Sequence, residues 1–386
     1  MSTDNLTMNG ATTHEDMGRA LEPKEEERIF VASQWQLMKW RFQKHKMAIV
    51  GGIVLIVLYL LAIFSEFFAP YDPLHYDPKL IFMPPQMIRF ADEGGLTAPY
   101  LYGVKQQIDP VSFRRTYVQD TSVKYGVRLF ARGDPYKMWG LVPGDRHLIG
   151  TEDNAGPLHL VGTDRMGRDI LSRLITGARI SLSIGLVGVF TSLVLGILIG
   201  GFSGYYGGVF DTISQRLIEF LRSVPRIPLW MALSAAIPPF WSPIRVYFGI
   251  TVVLSLIGWT GMARVVRSKF LALREEDFVM AAKLAGSNEF RIVVRHMVPS
   301  FLSHIIASVT LSIPGMILGE TSLSFLGVGL RPPVVSWGVM LQEAQQLSAV
   351  ALSPWLLAPG VVIVLAVLSF NFLGDGLRDA ADPYAR

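Results

Sequence analysis

Three ionisable residues stand where an apolar sequence makes charge expensive: Arg222, Arg226 and Glu320. The chemistry open to them is recognition of opposite charge rather than catalysis. An ionisable group at membrane depth must pair, or face protein or water. Two readings of the arginines stay open. Either the bilayer begins only near Ile227 and both guanidinium groups sit among headgroups, or they line an aqueous path in which Arg226 meets a carboxylate in transit. Glu320, which follows Pro314-Gly315, is either a gate residue or a helix-terminal carboxylate hydrogen-bonded to nearby backbone or hydroxyl groups. No catalytic set accompanies them. His147 and His159 lack metal-site spacing and read as ordinary surface residues. No Gly-Lys-Ser/Thr phosphate loop occurs, so ATP is not bound by that route. The absence of cysteine excludes disulfides, iron–sulfur clusters and thiolate zinc sites.

The elements that must position these residues are membrane spans. Of the 386 residues, 51% are hydrophobic and 17% charged, and the mean hydropathy is +0.38. That composition excludes an ordinary soluble domain. A bilayer crossing takes about 20 apolar residues, and six runs approach that length: 47–69, 178–202, 211–238, 244–264, 298–319 and 353–374. The third carries Arg216, Glu219, Arg222 and Arg226 beside Pro225 and Pro228. Lys39, Arg41, Lys44 and Lys46 precede the first run, and Arg264 to Arg295 is rich in basic residues. Both flanks are expected in the cytoplasm, and an even number of spans between them agrees. The net charge of +4 implies no nucleic-acid partner.

Residues 277–299 form a polar, basic segment between two apolar runs, yet they read as structured. Ala281, Ala282 and Ala285 put small side chains on a short helix that starts near Asp277 and stops at Gly286. A second helix, with Ser287 as N-cap, reaches Pro299. Small side chains on a helix outside the bilayer let a soluble partner approach the backbone closely.

The remaining organisation follows from composition. Residues 1–28 are polar and expected to be disordered, and 29–46 suit an amphipathic helix at the membrane interface or an extension of the first span. Residues 70–177 are too many for an ordinary connection. Turn signals at Gly133-Asp134-Pro135 and Pro143-Gly144-Asp145 bound expected strands at Ser122–Ala131, Tyr136–Val142 and His147–Gly150, hence a small β-rich extracytoplasmic insertion. Asp169 and Arg173, at i and i+4, are expected to pair. Gly196 and Gly200 form a GxxxG element that permits close helix approach. The membrane-spanning core covers 178–375, with a cytoplasmic loop at 265–299, and 376–386 is a cytoplasmic tail.

Several of these motifs carry a resemblance. Ala281-Ala282, Gly286, Arg295-His296 and Pro299 look like the "EAA" loop of binding-protein-dependent ABC import permeases, although Met280 stands where that family usually has Glu. Trp40-Arg41-Phe42, Gly162–Arg179, Gly204–Gly208, Glu320–Gly338, Gly374–Asp379 and Asp382-Pro383 resemble the C-type transmembrane subunit of oligopeptide and dipeptide importers. The resemblance implies an all-α polytopic fold of about six transmembrane helices, of the type I importer class, in the bacterial inner membrane with both termini cytoplasmic. It implies a homologous second permease subunit, two cytoplasmic ATPase subunits and an extracytoplasmic solute-binding protein as partners. It also implies no cofactor in this chain, ATP and Mg being bound by the ATPases, and no catalytic residue. Peptides are the implied cargo, with nickel, opines or modified peptides as alternatives in the same branch. An ion-coupled secondary transporter is the reading from a different class.

Overall fold

The computed structural model describes residues 34–92, 94–108, 110, 115–152 and 156–381. The expectations for 1–28 and for Asp382-Pro383 lie outside these residues. Helix α1 (Gln34–Lys44) is not continuous with α2 (Lys46–Ile63): His45 intervenes and caps α2 by accepting the Ala48 N–H at 3.2 Å. A short helix, α3 (Ser65–Phe68), ends the first crossing.

The insertion is an antiparallel meander of β1 (Arg89–Asp92), β2 (Gly95–Ile108), β3 (Arg115–Met138) and β4 (Val142–Thr151), in the order β1-β2-β3-β4. Its β character agrees with the expectation, but the strand limits differ. Gly133-Asp134-Pro135 makes no turn; it lies inside β3, where the ladder with β4 slips between Arg132 and Tyr136. Pro143 sits in β4 opposite Lys137, and the reversal falls instead at Trp139 and Gly140, with φ of +52° and +74°. The sheet is tied down at one end. The Trp139 Nε1–H donates to Ile63 O at 2.8 Å, and buried His147 faces Ala69 O at 2.5 Å and Asp134 O at 3.0 Å. His147 is therefore packed inside the protein, contrary to its reading as a surface residue, with a backbone carbonyl beside each ring nitrogen.

Helix α4 (Ile170–Tyr206) is the longest in the described chain. Its Gly196 and Gly200 bring it against α7 (Pro243–Leu273) so closely that a Cβ on Gly200 would come within 2.3 Å of Ala263 O. The expected GxxxG contact is thus made. Between them, the stretch 211–238 is two helices and no single span: α5 (Gly208–Ser223) and α6 (Arg226–Ala235). Pro225 has no N–H for the ladder and pushes the preceding residue out of the helical region, and Val224 is accordingly extended at φ −86°, ψ 133°. Asp211 of α5 receives Arg267 of α7 through both oxygens, at 2.5 and 2.6 Å.

After α7 come α8 (Asp277–Leu284), the broken segment 289–300, α9 (Leu302–Phe325), α10 (Trp337–Gln342), α11 (Leu347–Leu352) and α12 (Ala358–Ala381). Five helical stretches among the described residues are long and apolar enough to cross a membrane: Lys46–Ile63, Ile170–Tyr206, Pro243–Leu273, Leu302–Phe325 and Pro354–Ala381. The expected run 211–238 is not among them, because Pro225 divides it and α5 carries Asp211, Arg216, Glu219 and Arg222. One large hydrophobic core joins α2, α4, α6, α7, α9, α10 and α12, and a separate cluster lies under α8.

Candidate coupling surface and translocation pathway

Helix α8 has two faces of opposite character. Val279 is fully buried and Ala282 partly so, against Tyr205 of α4, Val266 and Phe270 of α7, and Ile292, Val293 and Met297 beyond the loop. The other side is open: Leu284 is 88% exposed and Met280 48%, with Asp277, Phe278, Ala281 and Ala285 also exposed. Met280 therefore alters the surface presented outward and leaves the seat of the helix untouched.

The end of α8 is a Schellman-type stop. The Gly286 N–H donates to Lys283 O at 3.0 Å, the Ser287 N–H donates to Ala282 O at 3.1 Å, and Gly286 has φ +73°. The next helical turn is capped by Asn288, not Ser287: the Asn288 side chain accepts the Arg291 N–H at 2.8 Å. Ser287 is occupied as the last donor of the stop, which moves the cap one residue on. The ladder then widens into a π turn over Ile292–Met297, just ahead of Pro299, which has no N–H to give. Arg295 and Pro299 are exposed.

Arg222 lies in the last turn of α5 and Arg226 begins α6, so the two flank the Pro225 break, both exposed. Among the described residues neither has a carboxylate within ion-pair distance, and the charges of Arg226 and of Arg264 on α7 act on Arg222. Arg226 lines a cavity of about 300 Å³ between α6, α7 and α9, together with Trp230, Gly261 and Gly315.

Glu320 lies elsewhere. It is fully buried on α9 and accepts the hydroxyls of Ser324 and Ser336, each at 2.8 Å, with Ser181 at 3.5 Å. Of its two readings, the hydroxyl-bonded carboxylate is the arrangement found. The structure does not bring Glu320 into the cavity of Arg226.

A buried ionic cluster at the start of α4 escaped sequence reasoning. Asp164 accepts Arg168 Nε at 2.7 Å and the Arg173 guanidinium, while Arg168 Nη2 reaches Glu343 at 2.8 Å. Burial pushes the Glu343 carboxyl above its ordinary range, Asp164 adds to this, and Arg173 and Arg168 oppose it. Asp169 does not pair with Arg173. It caps α4 through the Ser172 N–H at 2.7 Å and faces His159 Nδ1 at 2.9 Å, so His159 too is buried rather than superficial. Glu343 is 175 residues from Arg168 in sequence, and no local pattern signals that contact.

Five helices long and apolar enough to cross a membrane, a short helix seated on two of them, and a cavity among them define a polytopic membrane protein. The family described as "Binding-protein-dependent transport system inner membrane component" matches residues 192–386, and the "N-terminal TM domain of oligopeptide transport permease C" matches 33–85. This chain belongs to the binding-protein-dependent transport family. It is 38% identical over 240 residues to the dipeptide transport system permease protein DppC of Bacillus subtilis (strain 168), covering 61% of this chain and 72% of that one. It is 40% identical over 229 residues to the oligopeptide transport system permease protein OppC of Haemophilus influenzae (strain ATCC 51907 / DSM 11121 / KW20 / Rd), covering 59% and 71%. Among solved structures, a chain of the MetNI methionine ABC transporter in an inward-facing conformation aligns with a TM-score of 0.41 at 20% identity, over 54% of this chain and 96% of that one.

Proposed function

We propose that this chain is a permease subunit of an ATP-driven peptide importer, forming half of the path and passing the ATPase stroke to it through α8. The observation that carries the mechanical part is the two-sided burial of α8. Val279 ties the helix to the ends of α4 and α7, and Leu284 and Met280 leave an apolar face for a partner. Burying a leucine side chain is worth about 1.5–3 kcal/mol, so Leu284 adds to the hold on a soluble ATPase within a larger interface. Helix α7 carries both the seat of α8, at Phe270, and a wall of the Arg226 cavity, at Gly261. A displacement of α8 is thereby delivered along one rigid helix to the cavity.

The peptide cargo is supported by the dipeptide and oligopeptide names of the similar permeases. The assembly is a second permease, two ATPases and an extracytoplasmic binding protein, with α8 and both termini in the cytoplasm and the β insertion on the outer side. This chain contributes no catalytic residue; ATP and Mg belong to the ATPases. The experiment is co-purification. ATPase subunits are expected to travel with the wild-type chain and to be lost with Leu284→Glu at unchanged membrane insertion. A wild-type chain that retains no ATPase removes this reading.

A further inference from the structure

The Arg226 cavity has a chemical bias that the permease role alone does not explain. Its helix, α6, begins at Arg226, so the Arg226 and Ile227 N–H groups have no preceding turn to donate into, and the positive end of the helix lies there. Arg226 and Trp230, at i and i+4, share a face of α6 and both line the cavity. Trp230 is 9% exposed and its Nε1–H is shut off from solvent, so the residue gives the cavity a ring wall and not a donor. Arg222 and Arg264 add two more guanidinium groups nearby, and no carboxylate among the described residues forms an ion pair with any of the three. Room has been left as well: a Cβ on Gly261 or Gly315, both lining the cavity, would meet no other atom within 4 Å. Guanidinium groups are thus concentrated at and beside this cavity, with no carboxylate among the described residues ion-paired to them.

We infer that this cavity receives a carboxylate of an anionic peptide in transit, held by the Arg226 guanidinium beside the Trp230 ring, with Arg222 and Arg264 drawing it in. The planar guanidinium fork suits a carboxylate. The inference rests on the peptide-importer reading, and its test keeps the two apart.

Initial uptake by the complete complex in proteoliposomes is measured for two peptides of equal length and termini, one with an internal Glu and one with Gln there. The binding protein is the same throughout, so a change in the Glu/Gln uptake ratio between permease variants reports on the permease. The ratio is expected to fall about tenfold with Arg226→Gln, the worth of one charge-assisted hydrogen bond. It should recover in part with Arg226→Lys and stay near the wild-type value with Trp230→Phe, which keeps a ring wall. Gly315→Leu, which fills the cavity, is expected to depress both peptides. A ratio unchanged in Arg226→Gln overturns the inference. So does a loss equal for both peptides that is relieved by adding anionic phospholipid, which would assign the arginines to headgroup phosphates. Failure of the wild-type complex to import either peptide sinks the peptide reading itself, and this inference with it.

Discussion

The Ser336 hydroxyl donates to the Glu320 carboxylate at 2.8 Å while its oxygen accepts the Val339 N–H at 3.2 Å, so one side chain both caps α10 and fastens it to α9. The adjoining Trp337 N–H donates to Ser181 of α4 at 3.1 Å. Glu320 is thus the centre of a joint among three elements, buried where an unmatched polar group is costly. Glu320→Leu would strand the hydroxyls of Ser324 and Ser336, and a loss of about 2–4 kcal/mol is expected. Glu320→Gln, which keeps an acceptor, should cost about half of that. Thermal unfolding of the purified subunit in detergent reads both. A gate residue would behave differently, with Glu320→Gln disturbing transport at unchanged melting temperature, and that result would reverse the assignment.

A second joint is sensitive to acid. Arg179 of α4 forks onto both oxygens of Glu66 in α3, at 2.8 and 2.7 Å. Burial raises the Glu66 carboxyl, but the Arg179 hydrogen bonds and charge outweigh it, and the result lies below the ordinary 4.5. A carboxylate with a depressed value in the folded state adds stability that is complete above the unfolded value. That stability is lost as pH falls through the folded one. Arg179 is 35% exposed, so solvent screening limits the pair to roughly 1 kcal/mol. The melting temperature of the wild type is expected to drop more steeply below about pH 4.5 than that of Glu66→Gln. Parallel acid limbs for the two proteins would rule this out.

What could be read from sequence was what is local. The stop at Gly286 and the α8 segment follow from residues within a turn of each other, as does the approach of α4 to α7 through Gly196 and Gly200. The α5–α6 break was hidden although Pro225 was visible, because a hydropathy run averages the amphipathic α5 with the more apolar α6 across the kink. Gly133-Asp134-Pro135 has turn composition, yet β3 absorbs it as a slip in register. The Asp164, Arg168, Arg173 and Glu343 cluster and the burial of His147 and His159 depend on contacts between distant segments. The three unmatched donors beside the Arg226 cavity needed the side chains in place, since an arginine at a membrane edge has the same sequence signature in headgroups and in a pore.

Part of the β insertion can be excised at the cost of the Arg115 and Tyr117 hydrogen bonds to Pro78 and Ile81. Removing all of 80–145 would take out Met83, which is fully buried and exchanges hydrogen bonds with Thr163, so misfolding would obscure the result. Gly103 and Asp120 are instead ladder partners across β2 and β3. Replacing 104–119 by Asn-Gly should close that hairpin with a two-residue turn and leave β4 and its anchors at Ala69 and Ile63 intact. If the far end of the hairpin touches the binding protein, affinity for the docked binding protein is expected to fall about tenfold, or about 1.4 kcal/mol, with ATPase retention unchanged. Unaltered affinity and uptake would remove the insertion from that interface.

The α8 stop predicts an effect of backbone alone. Gly286 has φ +73°, and a Cβ placed on it would meet no atom within 4 Å. Gly286→Ala therefore adds no clash, only the cost of holding an L-residue in the left-handed region, about 1–2 kcal/mol. That strain can be relieved by unwinding the end of α8, which carries the exposed Leu284. ATPase affinity is expected to fall roughly 5- to 30-fold, while Gly286→Asn, whose side chain tolerates this conformation, should lose much less. Val279→Asp places a charge in the seat against Phe270 and should release the helix and its partner together. Titrating purified ATPase against the three variants separates these cases. Equal affinity for Gly286→Ala and wild type would mean that α8 is held by its partner rather than by its own stop.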